Sequence, residues 1–278
     1  MDQTLFGPAL LESLRVLVRS TPGAFLEIGP HGVGAMTMTT PFAMFTGVVT
    51  TDLAPDAGEI RRWAERFRAS PLPWSIQLRG EPSPAMLALA AGYGLTERHT
   101  EPLMGVVLGV RAPGPVLGSA PGMRAPEPLA GAVPRTGDPM RGGGSVVVEQ
   151  VRGESADRYL STLAAGSEAP ADALAVLASP DLLDDPSVAA YLARSGGDPV
   201  ATGMTTRAGD VLGVLNMATV PAHRRRGHAR AVLVEMLAAG VRSGARAAVL
   251  QASDAAQHLY ASAGFRTVET WTYLMAPD

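Results

Sequence analysis

Val220-Pro221-Ala222-His223-Arg224-Arg225-Arg226-Gly227-His228-Ala229-Arg230 is the stretch that decides the fold. An apolar run from Val211 to Val220 reads as a strand that stops at a proline, and a turn rich in Arg and containing Gly follows it. Beyond the turn, Ala229 to Val241 reads as a helix with an apolar stripe at Val232, Leu233, Met236 and Leu237. A strand–turn–helix junction leaves the first N–H groups of its helix without acceptors, and the helix dipole adds partial positive charge there. The turn is therefore built for an anion. Gly227 lets the backbone approach a bulky ligand, and Ala229 keeps the first helical turn uncrowded.

A second motif follows about thirty residues on: Leu250-Gln251-Ala252-Ser253, then Leu259-Tyr260, then Gly264-Phe265. Arg224, Gly227 and Ala229 fit the pattern Arg/Gln-x-x-Gly-x-Gly/Ala. Alone that pattern is a weak signal, since a solvated basic turn capping a surface helix would satisfy it. With the second motif at this separation, the chain resembles the GNAT superfamily of acyl-CoA-dependent N-acetyltransferases.

Working outward, Ser145 to Val151 alternates as a strand, and Ala156 to Ala164 and Ala171 to Ala178 read as helices. Ala189 to Arg194 and Pro199 to Thr206 form a hairpin about Ser195-Gly196-Gly197-Asp198. A turn at Arg207-Ala208-Gly209-Asp210 feeds the strand before the loop. Strand Arg246 to Gln251, helix Ala255 to Ser262 and strand Phe265 to Leu274 complete an order, β-α-α-β-β-β-α-β-α-β, that is similar to the family's over nearly all of residues 145–278.

The first half reads as a worn copy of the second. Ala91-Gly92-Tyr93, Thr96-Glu97 and Leu103-Met104 parallel Ala263-Gly264-Phe265, Val268-Glu269 and Leu274-Met275. Strands are predicted at Phe25 to Ile28, Gly32 to Thr39, Phe45 to Thr51 and Trp74 to Leu78, with a helix at Ile60 to Phe67. The alignment puts Ala88 where the second half has Tyr260, and Asp52-Leu53-Ala54-Pro55-Asp56 where a phosphate loop would lie. The expectation is an α/β chain with mixed α+β sheets. It has two tandem GNAT-like domains, each a central mixed sheet flanked by helices: residues 1–110 degenerate and non-catalytic, 111–144 a Pro/Gly-rich linker, and 145–278 catalytic. An unrelated α+β first domain is the alternative.

Composition bounds the partners. Hydrophobic residues at 46% and charged residues at 18% suit a packed core and exclude a disordered chain. No apolar run is long enough to span a membrane, and Met1-Asp2-Gln3-Thr4 opens no secretory signal, so a cytoplasmic location is expected. Cys is absent, which excludes disulfides, thiolate metal sites and an acyl-cysteine intermediate. The five His make no metal-ligand spacing, so no metal is expected; His223 and His228 read as solvated or ligand-adjacent. A net charge of -3 argues against nucleic acid as a partner, although every basic residue is Arg. The expected partner is a small-molecule amine, for a monomer or homodimer.

What the resemblance implies is specific. Acetyl-CoA, or another acyl-CoA, is the co-substrate. Its pyrophosphate would lie on Arg224, Arg225, Arg226, Gly227, His228, Ala229 and Arg230, and its pantetheine would pair with Ala218, Thr219 and Val220. Ser253 stands where many members carry Asn along that arm. Tyr260 takes the place of the acid that protonates the departing thiolate. Transfer to the amine would then be direct, in a ternary complex. For the general base only Glu269 and Asp210 offer themselves, by location alone, and a water chain is the alternative. Asp181-Leu182-Leu183-Asp184-Asp185 either attracts a cationic acceptor or is a polar, helix-capping loop. The rival to an enzyme is a non-catalytic acyl-CoA-binding or scaffold protein.

Overall fold

The computed structural model describes residues 6–109 and 146–277, so the linker expected over 111–144 lies outside the described residues. The first half runs α1 (Phe6–Arg19), β1 (Phe25–Ile28), β2 (Val33–Thr37), β3 (Thr46–Thr50), α2 (Ala57–Ala64), β4 (Ser75–Arg79), α3 (Pro84–Ala91) and β5 (Glu97–Val107). The second runs β6 (Val146–Val151), α4 (Ala156–Ser167), α5 (Ala171–Leu174), α6 (Pro180–Asp184), β7 (Val188–Ser195) and β8 (Asp198–Ala208). It continues through β9 (Val211–Thr219), α7 (His228–Arg242), β10 (Ala247–Gln251), α8 (Gln257–Ser262) and β11 (Arg266–Met275). No described helix is long and apolar enough to cross a membrane.

The two halves share one mixed sheet of 11 strands, in the order β1-β2-β3-β4-β11-β5-β10-β9-β8-β7-β6. Each half sends its last strand into the other. β5 pairs antiparallel with β10, from Ala247↔Val107 to Gln251↔Leu103. β11 pairs antiparallel with β4, from Trp271↔Arg79 to Met275↔Ser75. Between them β5 and β11 pair with each other. The offset that aligns Ala91 with Ala263 also aligns Thr100 with Thr272, and these two threonines face each other across that pair. The sequence repeat therefore marks a local pseudo-twofold axis, the natural result when two equivalent strands pair antiparallel.

Like α6, α1 is an element the sequence reading passed over. Its buried stripe of Phe6, Leu10, Leu14 and Leu17 faces one core together with Leu163 of α4, Leu182 and Leu183 of α6, and Leu103 of β5. The spacing is helical and was there to be read. Its destination was not, because the glycines that admit it lie far along the chain. A Cβ at Gly105 would come within 2.7 Å of the Phe6 ring, and one at Gly213 would collide with Ser13. On the opposite face of the sheet α7 and α8 bury Val232, Leu233, Met236 and Tyr260 against Met104 and Leu250. In the first half α2 and α3 cover a third cluster around Ile60, Trp63 and Leu89.

Several boundaries depart from expectation: the helix expected over Ile60 to Phe67 is α2, which starts at Ala57, followed by a 3-10 turn at Glu65–Phe67, and α4 runs on to Ser167. The helix expected over Ala171 to Ala178 is α5 followed by a 3-10 turn at Ala175–Leu177, and α8 starts at Gln257 rather than Ala255. In the acidic run at 181–185, Asp184 and Asp185 make structural contacts. Ser179 caps α6, and Asp184 Oδ1 accepts from Gly153 N at 2.9 Å. Asp185 takes both the Nε and Nη2 of Arg19 at 3.0 and 2.8 Å, the Ser20 hydroxyl at 2.8 Å and the Ser187 N–H at 2.7 Å. These contacts fasten α1 to the second half. They also leave Asp185 committed to Arg19 rather than to an acceptor amine.

Burial alone would push the Asp185 carboxyl up; Arg19, Ser187 and Ser20 outweigh it and hold it at about 2. A carboxyl depressed in the folded state stabilises fully above its unfolded pKa of about 3.9, and that contribution is lost as pH falls toward the folded value. Arg19 is half-exposed, so the pair is screened and contributes about 1 kcal/mol. Asp185→Asn is expected to lower Tm by about 2–4 °C at pH 7. The difference from the unsubstituted chain should shrink between pH about 4 and 2, as followed by thermal melts across that range.

Candidate acyl-CoA site

The site begins with an opening between two parallel strands. β9 pairs with β8 from Ala208↔Val211 to Ala201↔Thr219. On its other edge it pairs with β10 only from Val211↔Ala247 to Gly213↔Val249. From Val214 onward that edge has no strand partner among the described residues. A bulge accounts for the divergence: between Leu215↔Met204 and Ala218↔Thr202 the register slips, and Asn216 adopts φ 51°. Bulges add twist and bend the strand that carries them. Asn216 suits the left-handed conformation, and its neighbours hold it there. Its Nδ2 donates to Leu177 O at 2.9 Å, and Thr202 Oγ1 donates to Asn216 O at 2.7 Å. The freed edge ends in Ala218, Thr219 and Val220.

The loop closes the same opening from its end. After a 3-10 turn at Pro221–His223, Arg225 at φ 62° and Gly227 at φ 85° both sit in the left-handed region, with Gly227 as the N-cap of α7. Such backbone turns successive N–H groups toward one concavity and suits anions. Gly227 offers no side chain to cap the helix, and the N–H groups from Arg225 to Arg230 find no acceptor among the described residues. Arg225, Arg226 and Arg230 are exposed around them, and Ala229 is half-buried in the first turn.

Arg224 plays a different part. Its Nε donates to Thr219 O at 3.1 Å, and its Nη2 donates to Gly166 O at 3.0 Å and Glu168 at 2.6 Å. It ties the loop to the end of α4. His228 is 4% exposed, and neither ring nitrogen has a hydrogen-bond partner among the described residues. It is packed rather than solvated, which corrects half of the sequence reading. Burial, then the nearby His223 and Arg226, lower its pKa, so the ring is neutral.

Ser253 is exposed just past the end of β10, where its carbonyl accepts from Ala256 N at 2.9 Å to start the turn into α8. Tyr260 lies under that turn, 5% exposed, with its ring edge-on to Phe265 at 5.9 Å. Its hydroxyl has no partner among the described residues. Burial, with a smaller push from the charge of Glu101, raises the phenol to about 12. It stays protonated at neutral pH.

Residues 186–267 match the family model described as the acetyltransferase (GNAT) domain. That match lies within the second half and runs from β7 through β8, β9, the loop, α7 and β10 to α8. No curated protein sequence matches the chain. Among solved structures, a GCN5-related N-acetyltransferase from Kribbella flavida is similar over 99% of this chain and 96% of its own, at TM-score 0.61 and 21% identity. A functionally unknown conserved protein from Staphylococcus epidermidis is similar over 91% and 94%, at TM-score 0.56 and 14% identity. A GNAT-family protein from Novosphingobium aromaticivorans is similar over 99% and 98%, at TM-score 0.52 and 18% identity. At such identities these likenesses show the fold, and they show it over both halves.

The loop, the strand edge of β9, Ser253 and Tyr260 all come to the open end of the sheet. The two candidate bases do not serve. Glu269 is held by Arg79 through both carboxylate oxygens, at 2.6 to 3.2 Å, and accepts from Trp271 Nε1 at 2.6 Å. Asp210 lies at the opposite end of β9, where its carbonyl binds Arg246 N at 2.7 Å. Among the described residues no three His, Asp or Glu side chains converge as a metal site.

The equivalent place in the first half is built against an anion. Asp56 caps α2, accepting from Glu59 N at 2.9 Å, and so takes the groups a phosphate would need. Asp56, Asp52 and Glu59 line an open cleft of about 740 Å³ there. β3 and β4 pair from Gly47↔Ser75 to Val49↔Gln77, and beyond that pairing Arg79 Nη1 donates to Thr51 O at 2.6 Å and bridges the gap.

Proposed function

We propose that the chain is an acyl-CoA-dependent N-acyltransferase that moves acetyl from acetyl-CoA to a small amine by direct attack in a ternary complex. The observation that carries this reading is the unpaired edge of β9 running into the uncapped N-terminus of α7. An extended pantetheine arm carries amides that complete such an edge at Ala218, Thr219 and Val220, and a pyrophosphate satisfies the N–H groups from Arg225 to Arg230. Arg225, Arg226 and Arg230 screen its charge, while Arg224 holds the loop in shape. Ser253 lies beside the arm. The first half, with Asp56 and Arg79 filling the equivalent places, binds no cofactor of its own. It covers part of the domain's face and so favours a small acceptor over a protein surface.

The chemistry needs an amine lone pair, a held thioester and a proton for the thiolate. Tyr260, protonated at neutral pH, supplies that proton; a thiol's ordinary pKa of about 8.5 lies well below its own, so the transfer needs charge development at sulfur. Release of free thiol from acetyl-CoA over a panel of primary amines tests the reading. Turnover with an amine supports it, and cofactor binding without thiol release over the whole panel favours a non-catalytic binding protein. Tyr260→Phe keeps the ring on Phe265 and is expected to lower kcat about 10²-fold with acetyl-CoA affinity nearly unchanged. An unchanged kcat returns Tyr260 to the core.

A further inference from the structure

The first half carries a carboxylate into the domain's open end. Leu103 of β5 pairs with Gln251, the last residue of β10, and Ala252 N then donates to Pro102 O at 3.1 Å. That register sets Glu101 level with the turn at Ser253, at the end of the sheet where β9 has left β10. Side chains alternate along a strand. Leu103 packs with α1, α4 and α6, and Met104 packs with α7 and α8, so Glu101 shares the α4 face with Leu103. Its side chain is 12% exposed, and its one partner among the described residues is His99 Nε2, at 3.4 Å. Beside it on that face, Gln251 Nε2 donates to the Tyr273 hydroxyl at 2.5 Å.

Several other carboxylates of the described residues already have partners, Asp254 accepting from Gln257 Nε2 at 2.9 Å among them. Asp185 is held by Arg19, Glu269 by Arg79 and Trp271, and Glu168 by Arg224. We propose that Glu101, delivered on the first half's last strand, is the general base that takes the proton from the acceptor's ammonium group. This rests on the acyl-transfer reading above. The carboxylate accepts one ammonium proton; the amine lone pair forms the C–N bond at the thioester carbon; the C–S bond breaks as Tyr260 protonates the thiolate, and the second proton shed by the nitrogen restores the Tyr260 hydroxyl. The proton on Glu101 then passes to water beside His99, which is half-exposed at the rim.

The surroundings suit a base. Burial lifts the Glu101 carboxyl above the ordinary range, opposed by His99 and aided by Asp254. The titratable groups that face it are His99 on its own strand, Tyr273 on β11, Asp254 after β10 and Tyr260 on α8. A base must be ionised, so turnover should fall on the acid side as Glu101 takes a proton, at a pH above that of an exposed glutamate.

The test uses the full chain with saturating acetyl-CoA and, as probes, tyramine, glucosamine, an amino-acid ester and spermidine. Thiol release is followed from pH 5.5 to 10 for the unsubstituted chain, Glu101→Gln and Glu101→Asp. Glu101→Gln is expected to cost about 10² in kcat at pH 7, to leave acetyl-CoA affinity and Tm unchanged, and to regain activity as pH approaches the amine's own pKa. Glu101→Asp should keep the acid limb with an intermediate rate. If Glu101→Gln turns over as the unsubstituted chain does, with the same acid limb, the base assignment falls and acyl transfer stands. If the unsubstituted chain releases no thiol with any probe, both fall.

Discussion

Expressed without residues 1–109, the second half is expected to give no soluble, folded protein. β10 would lose β5 from its edge, and β11 would lose both of its neighbours, since β4 and β5 each belong to the first half. An unpaired edge beside an unanchored strand invites aggregation. The loss of α1 would uncover the apolar face that its stripe of Phe6, Leu10, Leu14 and Leu17 now seals, and a contiguous apolar patch of that kind does not persist in a soluble monomer. Co-expression of residues 1–110 and 111–278 as separate chains should restore solubility, because the exchanged strands hold the halves together without a covalent link. Size-exclusion chromatography and far-UV circular dichroism read both outcomes. A monomeric second half that unfolds cooperatively by itself would mean the exchange is not what completes its sheet.

The second large effect lies at the loop. Gly227→Asp places a carboxylate at the N-cap of α7, which accepts from the same N–H groups a pyrophosphate needs, as Asp56 already does at α2. The backbone at φ 85° tolerates the change at a cost of about 1–2 kcal/mol, so the chain should still fold. Two like charges about 4 Å apart at an effective dielectric constant of about 20 repel by about 4 kcal/mol. Acetyl-CoA affinity should therefore fall by about 10³.

Much of this was legible in the sequence wherever a local rule decides the geometry. The Gly196-Gly197 turn has both residues at positive φ, as a two-residue hairpin requires, and the β9–loop–α7 junction falls within one residue of its expected bounds. The short repeat even marked the strand pair on which the halves meet. What stayed hidden depends on residues distant along the chain. Nothing in the pattern of Glu97 to Val107 says that it pairs with β10 and not β4, because either neighbour accepts the same alternation. Glu101 was overlooked for that reason: it belongs to the half that lacks the cofactor loop. Glu269 looked available because Arg79, which neutralises it, lies in the other half. The opening between β9 and β10 rests on the left-handed Asn216, which a propensity reading passes over as an ordinary strand residue.

Calorimetric titration of acetyl-CoA into the intact chain tests the central claim most directly. The account predicts one site per chain, at the β9 edge and the α7 N-terminus, with binding lost in Gly227→Asp. Two sites per chain, or a Gly227→Asp variant that binds as the unsubstituted chain does, would contradict it.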